Sequence, residues 1–374
     1  MQTEPLYQRI YDYLLKEITL SRLKPGTKAP TEKELCQQFG VSRITSKRAL
    51  EMLAANGYIS RFRGKGSFIM NEAGTRMVPR GSGLIGFLIP GYSDFFGNIL
   101  ISETERNCTV LGYHLVLKHT RNSVVEESAA IKALAELNVA GILLMPVHGE
   151  YYNTDILQLA LKKKPLVFVD RKMRGLMAPS VSTDNIRGAE TGTEYLLRMG
   201  HRKIAFYSGP VKDVTTLEDR RQGFINAMLR AGVVPDPALF CCEFNTWQYS
   251  AIDDVPFAKY IAILKAHLID HPEISAALVS EYPLALLVKE AANQLGRAIP
   301  GDLSVLCFDG PSGVLPLSSF IHLRQDEKAL AQLAVDALHK LITGEKPAPY
   351  GDITVPARFM ADSTTARVEL PVWQ

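Results

Sequence analysis

Long hydrophobic runs are missing from this sequence of 374 residues. No apolar stretch approaches the roughly 20 residues that a membrane-spanning helix requires. The opening segment, MQTEPLYQRI, lacks the apolar core and small-residue cleavage site of a secretory signal peptide. Cysteine is also scarce, because the five cysteines at positions 36, 108, 241, 242 and 307 form no CxxC or Cys/His spacing. We therefore expect a cytoplasmic protein with buried thiols, without a membrane partner, disulfides or a metal site.

Sequence motifs of the common catalytic and nucleotide-binding sites are missing as well. There is no P-loop, no GxGxxG at a strand–helix turn, no G-x-S-x-G and no histidine pattern with metal-ligand spacing. An α/β fold by itself would leave catalysis open, because a fold does not determine a function. We nevertheless expect a protein that is not an enzyme and that carries no cofactor.

Positive charge is concentrated near the start of the chain. Residues 1–72 contain 12 lysines and arginines against 7 acidic residues, whereas the remaining residues contain 30 against 32. The overall formal charge of +3 therefore combines a segment of +5 with a remainder of −2. A basic segment of this kind is the electrostatic footprint of nucleic-acid binding, so we expect nucleic acid to bind there and not to the remainder.

Two short helix patterns lie within the basic segment, on either side of a break at Gly40. Thr31 and Glu34 have the spacing of a capping box at the start of the first helix, and Gly40 is expected to end it. Ser42 can cap the second helix, which is expected to stop near Gly57. The first two turns of this second helix are polar and basic, and its rear is apolar. A DNA recognition helix needs this division, although a solvated basic face would show it too.

A basic hairpin follows the two helices. The segment Ser60–Met70 contains no acidic residue, and Arg61, Arg63 and Lys65 alternate with glycines that permit a tight turn against phosphate oxygens. Ahead of the two helices, apolar residues recur at three- and four-residue spacing and predict an amphipathic helix: Tyr7, Ile10, Tyr11, Leu14, Leu15 and Ile18. Residues 1–71 are therefore predicted to form a winged helix-turn-helix DNA-binding domain.

Residues 5–70 resemble the GntR family of bacterial regulators. The segments that carry the resemblance are PGTKAPTEKELCQQFGVSR (25–43), TSKRALEMLAANGYI (45–59) and RGKGSFI (63–69). The resemblance implies contacts with double-stranded DNA at Lys33, Arg43, Thr45, Lys47 and Gly66. Position in the second helix and the hairpin adds further predicted DNA-binding residues: Ser42, Arg48, Arg61, Arg63 and Lys65.

The chain beyond the hairpin begins with a predicted linker and continues as an alternation of strands and helices. The segment NEAGTRMVPRGSG is polar and contains glycine and proline, so residues 72–83 are predicted to be the linker. After it, apolar runs predict strands at Leu84–Ile89, His114–Lys118, Gly141–Met145, Leu166–Val169, Lys203–Tyr207, Ala276–Val279 and Leu303–Phe308. Helical patterns separate these runs, which predicts parallel sheets covered on both faces. About 290 residues are too many for one sheet, so we expect two doubly wound lobes, the second beginning near Asp184–Met199.

This region resembles the effector domain of the LacI/GalR regulators, which shares the periplasmic sugar-binding fold. The matching segments include LIGFLIPGYSDFF (84–96), LVFVDR (166–171), VSTDNIRGAETGTEYLLRMGHRKIAFYSGP (181–210), DRRQGFINAMLRAG (219–232), IPGDLSVLCFDG (299–310) and LRQDEKALAQLAVDAL (323–338). A GntR-type reader joined to such a domain is the arrangement of arabinose-responsive repressors. The resemblance implies an effector-binding domain over residues 84–370 and a repressor controlled by a sugar such as arabinose. A homodimer is expected, because a two-fold dimer matches a palindromic operator.

Candidate effector-binding residues follow the predicted strands, because ligands of open α/β sheets bind beyond the carboxyl ends of strands. Carboxylates and arginines form charge-assisted hydrogen bonds with sugar hydroxyls, and an aromatic ring can cover the apolar face of a sugar. The candidates are Asp94 and Phe95 after the first strand, Asp170 and Arg171 after the fourth, Arg220 at the opening of a helix in the second lobe, Phe244 after the Leu239–Cys242 run, Asp309 after Leu303–Phe308, and Gln325 in the returning crossover.

One position departs from the family pattern. Glu281 and Tyr282 stand where members of the family usually carry Asn-Asp, and Glu281 is retained here as a candidate ligand-binding residue. This departure leaves three alternatives open: a sugar other than arabinose, an altered response, or a response that has been lost. A sugar-binding protein or an enzyme on the same α/β fold is a further alternative, which the DNA-binding segment disfavours.

Overall fold

The computed structural model describes most of the chain in two compact units. The described residues are 5–19, 22–23, 26–55, 58–62, 66–69, 83–147, 153–173, 175–244, 257–311, 320–344, 351–361 and 364–367. One unit contains residues 1–83 with the short segment 108–114, and the other contains residues 84–107 and 115–374. Within the described residues, no helix has both the length and the apolar character needed to cross a membrane.

The N-terminal unit has the predicted winged helix-turn-helix order. Its elements are α1 (Leu6–Thr19), α2 (Glu32–Phe39), α3 (Arg43–Ala55) and the antiparallel strands β1 (Ile59–Phe62) and β2 (Gly66–Ile69). The capping box at the start of α2 is present: the Thr31 hydroxyl accepts from the Glu34 N–H at 3.3 Å, and the Glu34 carboxylate accepts from the Thr31 N–H at 2.7 Å. Gly40 ends α2 in the left-handed conformation, with φ +63°.

A small core holds the three helices and the hairpin together. Apolar side chains from every element of this unit are buried in it: Ile10, Leu14 and Ile18 of α1, Leu35 of α2, Ala49, Leu50 and Leu53 of α3, Ile59 of β1 and Ile69 of β2. Tyr7 and Tyr11 pack against this core. The rear of α3 is therefore anchored, and its opposite face is left to solvent.

The second unit contains two six-stranded sheets, one in each lobe. The first sheet has the order β13-β7-β6-β5-β3-β4 and the second the order β14-β12-β11-β10-β8-β9. The first comprises β3 (Leu84–Ile89), β4 (His114–His119), β5 (Gly141–Leu144), β6 (Leu166–Val169), β7 (Ser180–Thr183) and β13 (Asp352–Val355). The second comprises β8 (Ile204–Tyr207), β9 (Phe240–Cys241), β10 (Ala276–Val279), β11 (Ser304–Phe308), β12 (Ile321–Arg324) and β14 (Arg358–Met360). In the first sheet, β3, β5, β6, β7 and β13 pair in parallel along that order. In the second sheet the pairings are parallel, except that β14 runs antiparallel to β12.

Helices cover both faces of each sheet, as the doubly wound prediction requires. The helices are α4 (Asn98–Val110), α5 (Val124–Glu136), α6 (Thr154–Leu161), α7 (Asn185–Arg198), α8 (Thr215–Arg230), α9 (Phe257–Asp270), α10 (Tyr282–Gln294) and α11 (Glu327–Thr343). In β10, Ala277 and Val279 join the core formed with α9 and α10, whereas Ala276 and Leu278 join the core formed with α7 and α8. Successive side chains of a strand point to opposite faces, which accounts for this alternation. The two-lobed α/β fold is therefore confirmed.

The chain passes between the lobes at three described places. The connections run from β7 to α7 through Asp184, from β12 to α11 through Gln325 and Asp326, and from β13 to β14. Two of them are hydrogen-bonded to each other, because the Asp184 N–H donates to the Val355 carbonyl at 2.9 Å. The second lobe begins with α7, as predicted, and the cleft lies where these connections meet the carboxyl ends of the strands.

Close packing of α7 and α8 places an arginine in this cleft. Gly223 of α8 lies so close to α7 that a Cβ at this position would collide with the Ile186 carbonyl oxygen. Glu190 of α7 also accepts a hydrogen bond from Arg230 of α8 at 2.9 Å. The close approach brings Arg220 of α8 against α7. Arg220 is predicted from the sequence to open this helix. That prediction is wrong, because α8 begins at Thr215.

Candidate functional site

Six of the nine predicted ligand-binding residues form a buried polar cluster in the second unit. We call this set the cleft cluster, and it consists of Asp170, Arg171, Arg220, Glu281, Asp309 and Gln325. Each of these residues is at most 7% exposed. Asp170 directly follows β6, Asp309 follows β11 and Gln325 follows β12, so the cluster collects residues from the carboxyl ends of strands in both lobes. Topology therefore brings them together, as expected for an open parallel sheet.

Arg220 is held on three sides. Its Nε donates to Asn185 Oδ1 at 2.7 Å, and its Nη1 donates to the Ser280 carbonyl at 2.6 Å. Its guanidinium carbon also lies 4.0 Å from the centroid of the Phe308 ring, in a cation–π arrangement. These contacts fix the positive charge in one position, from which it stabilises the ionised forms of neighbouring carboxylates.

A chain of hydrogen bonds connects the two lobes through Gln325. Its Nε2 donates to both carboxylate oxygens of Asp309, at 3.0 and 3.3 Å. The Thr183 hydroxyl of the first lobe donates to Gln325 Oε1 at 2.6 Å. Gln325 therefore ties the end of β7 to the end of β11, and its own orientation is fixed by both partners.

Two aspartates of the cleft cluster occupy equivalent places in the two lobes. Asp170 follows β6, the third strand of the first sheet, and Asp309 follows β11, the third strand of the second sheet. Both residues have left-handed backbone conformations, with φ +64° and +62°. Such a conformation is uncommon outside glycine, although aspartate tolerates it better than most residues, and it often marks a functional site.

Burial shifts the protonation of this cluster. It raises the pKa of Glu281 to about 8 and that of Asp309 to about 7, and it also raises the pKa of Asp170. The charge on Arg220 opposes each of these increases. Burial lowers the pKa of Arg171 to about 10, which leaves it protonated at neutral pH. The cleft therefore contains three buried carboxyl groups beside two buried arginines.

Some polar atoms of the cleft have no hydrogen-bond partner. Among the described residues these include Asp170 Oδ1, Glu281 Oε1 and the hydroxyl of the adjacent Ser280, all of which are buried. A buried polar group without a hydrogen-bond partner costs about 1–3 kcal/mol of folding stability, so most such groups in native structures have a partner. A bound molecule with several hydrogen-bond donors would provide it here. A cavity of about 160 Å³ lies beside the cluster, lined in part by Phe95, Asp309 and Gln325.

The other three predicted residues lie elsewhere. The Phe95 ring stacks on Tyr282, with the centroids 4.5 Å apart, and borders the cavity. Asp94 is exposed and accepts a hydrogen bond from Asn98 at 3.0 Å, so it is outside the buried cluster. Phe244 is 0% exposed and packs edge-on against Tyr260 in the core of the second lobe. Phe244 is therefore a core residue in this structure and does not present a face to a ligand.

Sequence reasoning missed several residues that build the cleft. Asn185 and Ser280 position Arg220, and Thr183 positions Gln325. Glu327 is buried near them, and its carboxylate accepts from the Gly97 and Leu100 N–H groups at the start of α4, at 2.8 and 2.9 Å. The strand-end rule could have identified Thr183 and Ser280, because each ends or follows a strand. The described residues contain no group of three or more His, Cys, Asp or Glu side chains placed to hold a metal ion.

The predicted DNA-binding residues lie largely on the outer side of α3. Ser42 caps this helix, because its hydroxyl accepts from the Thr45 N–H at 3.3 Å. The Arg43 side chain is 84% exposed and forms an ion pair with Glu32 at 3.2 Å. Lys47 is exposed and pairs with Glu51 at 3.8 Å. These pairs are weak, solvent-exposed contacts that phosphate or base edges can replace.

The remaining predicted DNA-binding residues have different surroundings. Lys33 is exposed on α2, and the guanidinium of Arg48 lies 4.2 Å from the Tyr7 ring centroid. Gly66 has φ +104°, and a Cβ at this position would lie 2.6 Å from the Lys28 side chain. Arg61 lies on β1, opposite Ser67. The predictions for Arg63 and Lys65 fall outside the described residues.

The raised carboxyl pKa values predict a pH dependence of stability. The unfolded chain loses the protons of Glu281 and Asp309 near their ordinary pKa values of 4.5 and 3.8, whereas the folded chain retains them up to pKa values of about 8 and about 7. The stability contribution is therefore complete below about pH 4, declines as the pH rises, and is lost once the pH has passed through about 7 for Asp309 and about 8 for Glu281. We expect the melting temperature to fall from about pH 4 to about pH 8, and to fall less in Glu281→Gln. Glu290→Gln, an exposed change on the same helix, is the matched control. Equal slopes for Glu281→Gln and the wild type in differential scanning calorimetry would contradict this assignment.

Two known families match separate parts of the chain. Residues 6–69 match the family described as bacterial regulatory proteins, gntR family. Residues 193–365 match the family described as periplasmic binding protein-like domain.

Two known repressors are similar to this chain over most of its length. The arabinose metabolism transcriptional repressor of Geobacillus stearothermophilus is 26% identical over 315 residues, which cover 82% of this chain and 83% of that protein. The ribose operon repressor of Halalkalibacterium halodurans is 27% identical over 326 residues, which cover 87% and 92%.

A crystal structure of a periplasmic binding protein/LacI transcriptional regulator from Alkaliphilus metalliredigens, complexed with D-xylulofuranose, is 25% identical with a TM-score of 0.61. The match covers 76% of this chain and 99% of that one. This chain therefore joins a GntR-type helix-turn-helix domain to a periplasmic-binding-protein-like domain with the fold of the LacI-family regulators.

Proposed function

We propose that this chain is a bacterial transcriptional repressor controlled by a small molecule. Residues 1–71 would bind operator DNA, residues 72–83 would be the linker, and residues 84–370 would bind the effector and form the dimer. The observation that carries the proposal is the buried cleft cluster with unpartnered acceptors, in a chain that begins with a winged helix. Relatives of similar length are repressors of arabinose and ribose metabolism, which supports the same assignment and disfavours an enzyme. A DNA-binding function supports a cytoplasmic location.

The chemistry of the cleft favours a polyhydroxylated effector. Asp170 Oδ1 and Glu281 Oε1 are acceptors without partners, and Arg171 and Arg220 supply positive charge beside them. Each hydroxyl of a sugar both donates and accepts, so a sugar can satisfy both kinds of group at once. A related LacI-type structure contains D-xylulofuranose, a monosaccharide. We propose a monosaccharide such as arabinose as the effector.

A second candidate is a repressor with an altered or lost sugar response. Tyr282 stands at the position of an acidic residue in the resembling family, and its ring packs between Phe95 at 4.5 Å and Phe320 at 5.5 Å. These aromatic rings fill space at the edge of the cleft without any ligand. They favour a binding site that is smaller, or partly filled by the protein itself.

The mechanism follows from the position of the cluster between the lobes. A ligand that contacts Asp170 of the first lobe and Glu281 or Asp309 of the second stabilises the arrangement in which the lobes are close. It changes operator binding only to the extent that its affinity differs between DNA-competent and DNA-incompetent states. In a dimer, a change in the relative position of the lobes would alter the spacing of the two N-terminal DNA-binding domains.

We expect Arg43→Ala to weaken operator binding by about 1–3 kcal/mol and to relax base preference, because an exposed arginine at the start of a recognition helix can contact a base edge through two hydrogen bonds. Lys47→Ala should weaken binding to all sequences alike and reduce the salt dependence, because lysine contacts phosphate as a point charge. Electrophoretic mobility-shift titrations at several salt concentrations measure both effects.

Arg9→Ala is the control for these variants, because it removes an exposed positive charge from α1 of the same domain. Unchanged affinity and base preference in Arg43→Ala would show that α3 is not the recognition helix.

A thermal-shift screen of pentoses, hexoses, their phosphates and disaccharides identifies the effector. With that compound, Arg220→Ala and Asp309→Asn should abolish its effect on operator release and leave ligand-free DNA binding close to that of the wild type. Asparagine preserves the left-handed backbone that position 309 requires. Asp270→Asn, at the exposed end of α9, makes the same chemical change away from the cleft. Calorimetry that finds wild-type effector affinity in both cleft variants would remove these residues from the site.

The dimer should be formed mainly by residues 84–370, because a DNA-binding domain of about seventy residues has little surface left for a stable interface. Cleavage near Arg80 should release a dimeric C-terminal fragment and a largely monomeric N-terminal fragment that binds DNA weakly. Light scattering at micromolar concentration distinguishes the outcomes. A monomeric C-terminal fragment would contradict this arrangement.

A further inference from the structure

Ile44 is a large apolar residue on the outward face of α3. It is 81% exposed and directly follows Arg43 in the first turn of the helix. At 3.6 residues per turn, position 44 lies opposite the side formed by Ala49, Leu50 and Leu53, which is buried in the core. Its neighbours on the outward face, three and four residues further on, are Lys47 and Arg48.

Folding does not account for an isoleucine at this position. An exposed apolar residue is common on protein surfaces and carries no information by itself. A β-branched residue, however, forms helix less readily than alanine or lysine, and Ile44 contributes little buried area in this unit because it is 81% exposed. Its apolar surface becomes useful only when another molecule covers it.

The predicted partner of this face offers one apolar group among its base edges. In the major groove of DNA, guanine, cytosine and adenine present hydrogen-bond donors and acceptors, and thymine also presents its C5-methyl group. Residues at the start of a recognition helix are those that reach base edges. Arg43 and Ile44 are adjacent there, so a base pair that Arg43 contacts would have a neighbour within reach of Ile44.

We propose that Ile44 is a specificity-determining residue that selects thymine in the operator, by packing its side chain against the thymine C5-methyl group beside the base contacted by Arg43. This inference rests on the proposed DNA-binding function. It assigns different tasks to adjacent residues, since Arg43 recognises a base by hydrogen bonds and Ile44 recognises one by apolar contact. The operator should therefore contain, in each half-site, a thymine whose replacement is tolerated poorly.

The test uses the full chain and removes a single methyl group from the DNA. An operator is first selected from random duplexes with the wild-type protein, and each thymine is then replaced in turn by uracil, which differs only in the missing C5-methyl. We expect the wild type to lose about three- to fivefold in affinity at one or two thymines, which is the effect of one buried methyl group. The other thymines serve as internal controls.

Ile44 variants connect that loss to this side chain. Ile44→Ala should bind the thymine operator about three- to tenfold more weakly, and it should no longer distinguish thymine from uracil at the sensitive position. Ile44→Val, which keeps most of the apolar surface, should retain the discrimination. Val234→Ala removes an apolar side chain that is also 81% exposed, in the second unit, and should leave both affinities unchanged. Circular dichroism should show the same helix content in all variants, because no buried contact is removed.

Two results would overturn the inference while leaving the proposed function intact. One is a selected operator in which no thymine is sensitive to uracil replacement. The other is an Ile44→Ala protein with the same sensitivity as the wild type, which would assign the methyl contact to another residue. If the wild-type chain enriched no sequence at all, the proposed DNA-binding function would fail, and this inference with it.

Discussion

The buried guanidinium of Arg220 is the interaction on which the cleft depends. Three buried carboxyl groups lie near it, and its positive charge opposes the rise of each of their pKa values. Its own position is set by Asn185, by the Ser280 carbonyl and by the face of Phe308. A buried charge whose partner is removed is strongly destabilising, so these contacts are also constraints on which residues the surrounding positions can carry.

Burial also explains why Asp170 Oδ1 and Glu281 Oε1 lack hydrogen-bond partners in the protein. The cleft holds polar groups that the protein alone does not satisfy, and Glu281 and Asp309 have pKa values near neutrality as a result of burial. Such groups can exchange a proton for a hydrogen bond from a ligand at little cost. Binding sites are often built this way, because the energy left unsatisfied in the free protein becomes available when the ligand enters.

Local signals in the sequence predicted much of the fold. The capping box at Thr31 and Glu34 depends on four consecutive residues, and the buried strands β3, β5 and β10 are continuous apolar runs. Strand β7, with the sequence SVST, has no such run, and it forms a strand because β6 and β13 pair with it on either side. Pairing of this kind is a tertiary effect that a window of sequence does not contain.

The candidate site was predictable to the extent that topology determines it. The strand-end rule located Asp170 and Asp309 without knowledge of their contacts. The start of α8 was misplaced because its N-cap, Val214, makes no side-chain capping bond and therefore leaves no signal. Phe244 also follows a strand, but whether its ring faces the cleft or the core depends on Tyr207 and Tyr260, which are distant in sequence.

The three connections between the lobes have a mechanical consequence. A single connecting strand would leave one lobe free to twist and swing about any axis relative to the other. Three connections, two of them hydrogen-bonded to each other, restrain twisting between the lobes and leave hinge bending about one axis as the easiest motion. A contact made at any point of the cleft would then drive the same rotation, so molecules of different shape could produce the same output.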